Sequence, residues 1–200
     1  MQAIAQACLS GACPATVAAV ISNKPEAKGL NWAARAGIHT EVVPHRSFPN
    51  REAFDLALSE EIDRHEPDFV LLAGFMRVLT SGFVQKYAGK LINIHPSLLP
   101  AFPGLHTHAQ AIATGVQAHG CTVHFVTPVL DHGPVIAQGV VPVMSDDTAD
   151  SLAARVLKVE HVIYPTVATW LAEGMVTLLA DQRVEVQGVH TRLFSVEGHA

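Results

Sequence analysis

Short runs rich in β-branched residues alternate with helical patterns along most of this chain, and that alternation limits the folds it can adopt. It is typical of the α/β class, and it predicts a mostly parallel, twisted sheet with helices on both faces. Strands are predicted at 15–21, 39–43, 68–73, 91–94, 121–126 and 134–143. Helices are predicted at 2–9, 26–36, 50–65, 81–87, 107–115 and 148–172.

The apolar run at 69–73 predicts a central strand, because a strand buried on both faces needs nearly continuous hydrophobicity. After Gly174 the pattern predicts two short strands, at 175–179 and 183–187, followed by an irregular end. No internal repeat or linker interrupts the 200 residues, of which 49% are hydrophobic. We therefore predict a single domain over residues 1–200.

The charge balance limits the partners that this chain can have. Its 13 basic and 18 acidic side chains include no cluster of more than two basic residues, which disfavours nucleic-acid binding. No apolar segment reaches the roughly 18 to 20 residues that cross a membrane, and no basic residue precedes Lys24, so a secretory signal is not indicated. Cys8, Cys13 and Cys121 lack disulfide or metal spacing. We expect a cytoplasmic protein with small-molecule partners, as a monomer or a homodimer.

The predicted strand that ends near Asn93 and His95 carries polar groups where ligands bind in open parallel sheets, at the carboxyl end. Strand alternation places both side chains on one face. The amide and the imidazole can then act on one carbonyl group, as oxyanion donor and proton donor. An alternative interpretation, a core Asn and a core His with satisfied hydrogen bonds, stays open at this stage.

Asp131 lies in a predicted turn, 36 positions beyond His95. A carboxylate at that point can orient an imidazole and favour its protonated form, as a general acid near neutral pH requires. An Asp before Gly-Pro is also common as an Asx-turn residue with no catalytic role. The residues alone do not decide between these interpretations.

Four segments carry a recognisable pattern. They are 91–100, with Asn-Ile-His-Pro-Ser at its centre; 102–108, which is Phe-Pro-Gly-Leu-His-Thr-His; 119–126; and 131–134, which is Asp-His-Gly-Pro. Together they closely resemble the phosphoribosylglycinamide formyltransferase family, folate-dependent enzymes of purine synthesis with a Rossmann-like fold. Other formyl-handling proteins share Asn-x-His-Pro-Ser with a distant Asp, whereas Pro-Gly-Leu-His-Thr-His points to this family.

The resemblance implies an activity and three catalytic residues. Asn93 and His95 would polarise the formyl group, His95 would donate a proton, and Asp131 would favour the protonated histidine. The reaction would transfer formyl from 10-formyltetrahydrofolate, as cosubstrate, to the amine of 5-phosphoribosylglycinamide. No metal would be needed.

The resemblance also implies two sets of binding residues. The folate-binding set would be Arg51, Met76, Arg77, Val78, Leu79, Asn93, Thr127, Pro128, Val129, Leu130 and Asp131. The ribonucleotide-binding set would be Leu157, Lys158, Val159 and Glu160, with Glu160 holding the amine. From the residues alone, an apolar loop after a buried strand more often covers the core, and a helical Glu or a helix-start Arg more often faces solvent.

His106 and His108 form a His-x-His pair, which suggests a metal site with His95 or His124. Such a site needs a third ligand and supporting groups, and no suitably placed Asp or Cys is evident. The resembled family uses these histidines without a metal. We therefore expect no metal site.

Aligned on its motifs, the chain begins inside the first helix of the family. The first strand and the Gly-rich loop that cradles the substrate phosphate would then be missing, so we expect a weakened sheet and weak or absent activity unless the biological start lies upstream. Two alternative functions remain open. One is a formyltetrahydrofolate deformylase that uses water, and the other is a truncated folate-binding domain with weak or no activity.

Overall fold

The structure is a computed structural model that describes residues 1–195. Its helices are α1 Gln2–Leu9, α2 Lys28–Arg35, α3 Arg51–Asp63, α4 Ser81–Lys86, α5 Thr107–Thr114 and α6 Ala149–Ala172, with a 3-10 turn at His45–Ser47. Its strands are β1 Val20–Ser22, β2 Thr40–Val42, β3 Val70–Leu72, β4 Leu91–His95, β5 Ala118–Phe125, β6 Val135–Pro142, β7 Val176–Leu178, β8 Val184–Val186 and β9 Leu193–Ser195. Every predicted helix and strand has a counterpart, most with shorter bounds, but the strand predicted at 15–21 is displaced to Val20–Ser22.

The main sheet has five strands in the order β3-β4-β5-β6-β9. Its outer pairs, β3 with β4 and β6 with β9, are parallel, whereas β5 runs antiparallel to both of its neighbours. The strands β1 and β2 form a separate parallel pair, and β7 and β8 form an antiparallel hairpin. The predicted α/β class is confirmed, with a sheet of mixed direction.

Two predictions about strands are wrong. The run at 69–73 does not form a central strand, since β3 is the edge of the five-stranded sheet and its residues are only half-buried. Within residues 1–195 only β4 pairs with it, which explains the exposure. The predicted irregular end contains β9, which pairs with β6 through Gln138 and Leu193; the rest of that end, 196–200, lies outside the described residues.

The largest core cluster lies between α6 and the main sheet. Val156, Val159, Ile163 and Val167 on α6 are fully buried, and their spacing repeats with the helical period. Tyr164 on the same helix donates its hydroxyl hydrogen bond towards Leu72 O at 2.9 Å and Ile92 O at 3.2 Å. Helix α6 therefore contacts the backbone at the end of β3 and near the start of β4. No helix within residues 1–195 combines the length and apolar character that crossing a bilayer requires.

Two glycines allow β5, β6 and α6 to approach closely. A Cβ on Gly120 would lie 1.8 Å from Gly139 O, and a Cβ on Gly139 would lie 2.2 Å from Val159 Cγ1. Both distances are far shorter than van der Waals contact, and the first obstacle is backbone, which cannot move aside cheaply. The pairing of β5 with β6 therefore requires glycine at position 120, and the packing of α6 on β6 requires glycine at position 139.

Replacing Gly120 with Ala is expected to destabilise the fold by at least about 3 kcal/mol, because the new methyl group overlaps the Gly139 carbonyl. The measurement is the free energy of unfolding in urea. Gly82→Ala on α4 is the matched control, since nothing lies within 4 Å of its Cβ position and Ala favours a helix by about 1 kcal/mol over Gly. Equal stability of the two variants would contradict the packing argument.

The start of α6 is held by a polar cluster. Thr148 and Ser151 cap each other's backbone N–H groups, and Ser151 also donates to Asp147. Arg155 makes two hydrogen bonds to Asp147, at 2.6 and 2.8 Å, and the Asp147 side chain is 3% exposed. The hydrogen-bonded guanidinium of Arg155 is the main reason why the pKa of Asp147 lies well below its usual value.

Asp147→Asn is expected to cost about 2 kcal/mol of unfolding free energy at pH 7, since it breaks charged hydrogen bonds in a shielded position. The pKa of Asp147 is lower in the folded protein than in the unfolded chain. Its ion pair therefore stabilises the fold fully above the unfolded pKa, and this stabilisation is lost as the pH falls towards the folded pKa. The difference between variant and parent should therefore narrow below about pH 4. Asp181→Asn is the control: its partner is Arg183, the pair is exposed, and the unfolding free energy should change little. If the loss of unfolding free energy in Asp147→Asn did not depend on pH, the ion-pair explanation would be refuted.

Candidate active site

Asn93 and His95 lie on the last residues of β4, on the same face of the sheet. In the antiparallel register with β5, Asn93 is opposite His124 and His95 is opposite Thr122. His95 is 5% exposed, whereas Asn93 is half-buried. The end of β4 thus places an amide and an imidazole side by side, as the strand alternation predicted.

Both nitrogens of the His95 ring face oxygen atoms. Nε2 lies 3.0 Å from Phe102 O, and because a carbonyl only accepts, Nε2 carries the proton in this hydrogen bond. Nδ1 faces Asp131 Oδ1 at 3.5 Å, with both side chains less than 10% exposed. The other oxygen of Asp131 accepts from the Gly104 N–H group at 2.8 Å. The carboxylate therefore joins the histidine to the 102–104 loop across 27 residues of sequence.

The loops around His95 have unusual backbone conformations. Phe102, His106 and Asp131 are three of the five non-glycine residues in 1–195 with positive φ, at 54°, 58° and 52°. Such conformations cost free energy and persist where the surroundings hold them, which is frequent at functional sites. Here they turn Phe102 O and the Asp131 carboxylate towards the same ring.

Thr122 holds the loop that follows β4. Its hydroxyl donates to Ser97 O at 2.7 Å and accepts from Leu99 N at 3.0 Å, and Gln138 donates to it from β6. Ser97 is fully buried and donates its own hydroxyl to Ala101 O at 2.6 Å. Since this hydroxyl is shielded and already engaged, Ser97 is not available as a nucleophile.

The loop after β3, predicted to line the folate, divides into exposed and packed residues. Met76 and Val78 are 75% and 53% exposed, whereas Leu79 packs against a smaller core cluster that includes Phe54 and Phe83. The guanidinium of Arg77 lies 5.0 Å from the centre of the Phe54 ring. Arg51 is exposed at the first position of α3.

The other predicted folate segment precedes and includes Asp131. Val129 and Leu130 are 61% and 54% exposed, and Pro128 is exposed too. Thr127 donates its hydroxyl to Val129 O at 3.2 Å, which makes the turn compact. Both loops therefore present large apolar side chains to solvent.

The predicted ribonucleotide residues lie on about one turn of α6. Leu157 and Lys158 are exposed, whereas Val159 is fully buried beside Gly139, so its side chain belongs to the core. Glu160 is half-buried, and burial raises the pKa of its carboxyl group while the nearby amino group of Met1 lowers it.

His108 and His119, near the site, form a pair. His119 Nε2 lies 3.2 Å from His108 Nδ1, and burial, followed by the nearby His108, lowers the pKa of His119 to about 4. Burial likewise lowers the pKa of His108. Within residues 1–195 no group of three His, Cys, Asp or Glu side chains is placed to bind a metal.

Sequence reasoning missed three contributors to this site. The carbonyl of Phe102 and the N–H group of Gly104 are backbone groups, which a residue pattern does not reveal. His124 was considered only as a metal ligand, although its alternation with Thr122 on a predicted strand placed both on one face. Its position opposite Asn93 depends on the register of β4 with β5, which sequence alone does not provide.

Comparison with known proteins identifies the family of this chain. A family model described as formyl transferase matches residues 1–168. Phosphoribosylglycinamide formyltransferase of Escherichia coli K12 is 50% identical over 194 residues, which are 94% of this chain and 92% of that protein. The crystal structure of glycinamide ribonucleotide transformylase 1 from Symbiobacterium toebii has a TM-score of 0.89 at 44% identity, over 92% of this chain and 87% of that one.

Formyltetrahydrofolate deformylase from Burkholderia mallei has the same fold at lower identity. Its TM-score is 0.82 at 28% identity, over 92% of this chain and 64% of that one. The family model covers most of the residues, including Asn93, His95 and Asp131. This chain therefore belongs to the formyl transferase family, whose members are enzymes.

Proposed function

We propose that this chain transfers the formyl group of 10-formyltetrahydrofolate to the amine of 5-phosphoribosylglycinamide, a step of purine biosynthesis. The observation that carries the proposal is the convergence of Asn93, His95 and Asp131 at the end of β4. The names of the E. coli and Symbiobacterium relatives support this acceptor.

The three side chains divide the chemistry among them. The amine nitrogen attacks the formyl carbon, and the amide N–H of Asn93 stabilises the negative charge that develops on the formyl oxygen. His95 donates a proton to the folate nitrogen as its bond to carbon breaks. The attacking amine loses one proton to solvent water, from which His95 is protonated again, so no net proton is consumed. Asp131 stabilises the charged form of His95 before the transfer.

Transfer is direct in this mechanism. A covalent formyl-enzyme would need an accessible nucleophile, and Ser97, the hydroxyl two residues after His95, is buried and hydrogen-bonded. For His95 to act, its Nε2–H group must exchange Phe102 O for the substrate, so substrate binding breaks a 3.0 Å hydrogen bond. Positioning of two substrates supplies the main rate advantage.

The binding residues follow from the loops that border β4. Folate lies between the 76–79 loop and the 127–131 loop, whose exposed apolar side chains cover its pterin, and Arg51 contributes from the start of α3. Leu157, Lys158 and Glu160 hold the ribonucleotide, with Glu160 at the amine, whereas the side chain of Val159 packs in the core. No metal takes part, and residues 1–200 act as one domain, as a cytoplasmic monomer or homodimer.

Deformylation is the second candidate, because the Burkholderia deformylase shares the fold. There, water would replace the amine as nucleophile. Its 28% identity against 50% for the E. coli transferase favours transfer. A folate-binding domain without catalysis is the third, and the close contacts around His95 argue against it.

A single assay separates the three functions. The purified chain is mixed with 10-formyltetrahydrofolate, with and without 5-phosphoribosylglycinamide, and released reduced folate and formylated product are quantified by mass spectrometry. Transfer predicts release only with the acceptor and equal amounts of both products. Release without acceptor would support deformylation, and the absence of release under both conditions would support the non-catalytic alternative.

His95→Ala is expected to lower kcat for formyl transfer by about 10²- to 10⁴-fold, since it removes the proton donor. The Kd for reduced folate should change little, because the pterin contacts lie on the loops. His39→Ala, an exposed histidine before β2, is the control and should keep the parent kcat. Parent-like transfer by His95→Ala would refute the acid role.

A further inference from the structure

His124 has no role in the mechanism above, although its side chain lies next to Asn93. It faces Asn93 across the β4–β5 register and is 2% exposed. Its Nε2 lies 3.4 Å from Asn93 Nδ2, and its Nδ1 lies 2.9 Å from Phe125 O. Both ring nitrogens therefore have defined neighbours.

The two contacts determine the tautomer of His124. A carbonyl oxygen only accepts, so Nδ1 carries a proton that it donates to Phe125 O. Burial lowers the pKa of His124, so the ring is neutral near pH 7 and Nε2 has a free lone pair. In this state Nε2 accepts a hydrogen bond from the Asn93 amide nitrogen.

The backbone around His124 keeps the ring in place. The β5–β6 register shifts between Val123 and His124, and such irregularities re-aim a side chain next to active sites. Gly133 packs on the same carbonyl that binds the ring: a Cβ there would lie 1.6 Å from Phe125 O and 3.3 Å from His124 Nδ1. The His124 ring therefore lies between Asn93 on one side and Gly133, in the turn that contains Asp131, on the other.

An Asn side chain without an orienting partner has two amide orientations that differ by a half turn. In one orientation the amide presents an N–H group that can bind a substrate oxygen. In the other it presents Oδ1, which repels that oxygen. An acceptor at His124 Nε2 selects the orientation in which Nδ2 points into the site. One of its two hydrogens then binds His124, and the other is free.

We propose that His124 is a positioning residue for formyl transfer: it accepts a hydrogen bond from Asn93 Nδ2 and so directs the second N–H of that amide at the formyl oxygen. The inference rests on the proposed function. The 3.4 Å separation is long, and catalytic hydrogen bonds commonly tighten when substrate binds.

Two substitutions test the acceptor. His124→Leu introduces an apolar side chain of similar size that has no hydrogen-bond acceptor. It should lower kcat by about tenfold, the effect of one hydrogen bond, and change the KM for folate by less than about twofold. His124→Gln places an amide oxygen close to the Nε2 position and should restore kcat to within about threefold of the parent. Equal kcat losses in the two variants would overturn the proposal.

A double-mutant cycle separates positioning from structural support. Asn93→Ala removes the group to be oriented, so adding His124→Leu should then lower kcat by less than about twofold. His119→Leu, another buried histidine of β5, is the control, because its ring contacts His108 rather than Asn93. Its effect should be the same with Asn93 or Ala at position 93. A tenfold loss from His124→Leu in both backgrounds would refute positioning.

The tautomer is measurable without any activity. In the parent protein labelled with ¹⁵N-histidine, and assigned with the His124→Gln variant, Nδ1 of His124 should have the shift of a protonated nitrogen and Nε2 that of an unprotonated one at pH 7. The opposite tautomer, or a doubly protonated ring, would overturn the proposal even if the chain transfers formyl. Absence of transfer with the expected tautomer would instead count against the proposed function.

Discussion

The antiparallel pairing of β4 with β5 is the constraint on which the active site depends. It sets Asn93 opposite His124 and His95 opposite Thr122, and it therefore places four side chains on one face of the sheet. Thr122 then holds the loop after β4 through Ser97 O and Leu99 N. On its other side β5 pairs with β6, and this close approach requires that Gly120 carry no side chain.

Three other histidines near His95 are uncharged at neutral pH. Burial lowers the pKa of His108, His119 and His124, so these three rings are neutral near pH 7. The carboxylate of Asp131 faces His95 among these neutral neighbours. The positive φ values of Phe102 and Asp131 are the conformational cost of directing two acceptors at that ring.

The local pattern predicted the elements well and their neighbours less well. Hydrophobic periodicity found α6, whose buried stripe of Val156, Val159 and Ile163 repeats with the helix. It misplaced the 69–73 strand, because an apolar run indicates burial without saying how many strands pair with it. It also missed β9, whose three residues gain their strand conformation from pairing with β6.

By itself, the sequence determined the α/β class, the adjacency of Asn93 and His95 on one strand face and, through its motifs, the formyl transferase family. Those features are local or carried by contiguous segments. Only the tertiary structure decided that Asp131 and Phe102 O meet the two nitrogens of His95, and that His124 meets Asn93. These contacts join residues 7 to 36 positions apart through strand register and loop backbone conformation, which depend on the packing of the whole sheet.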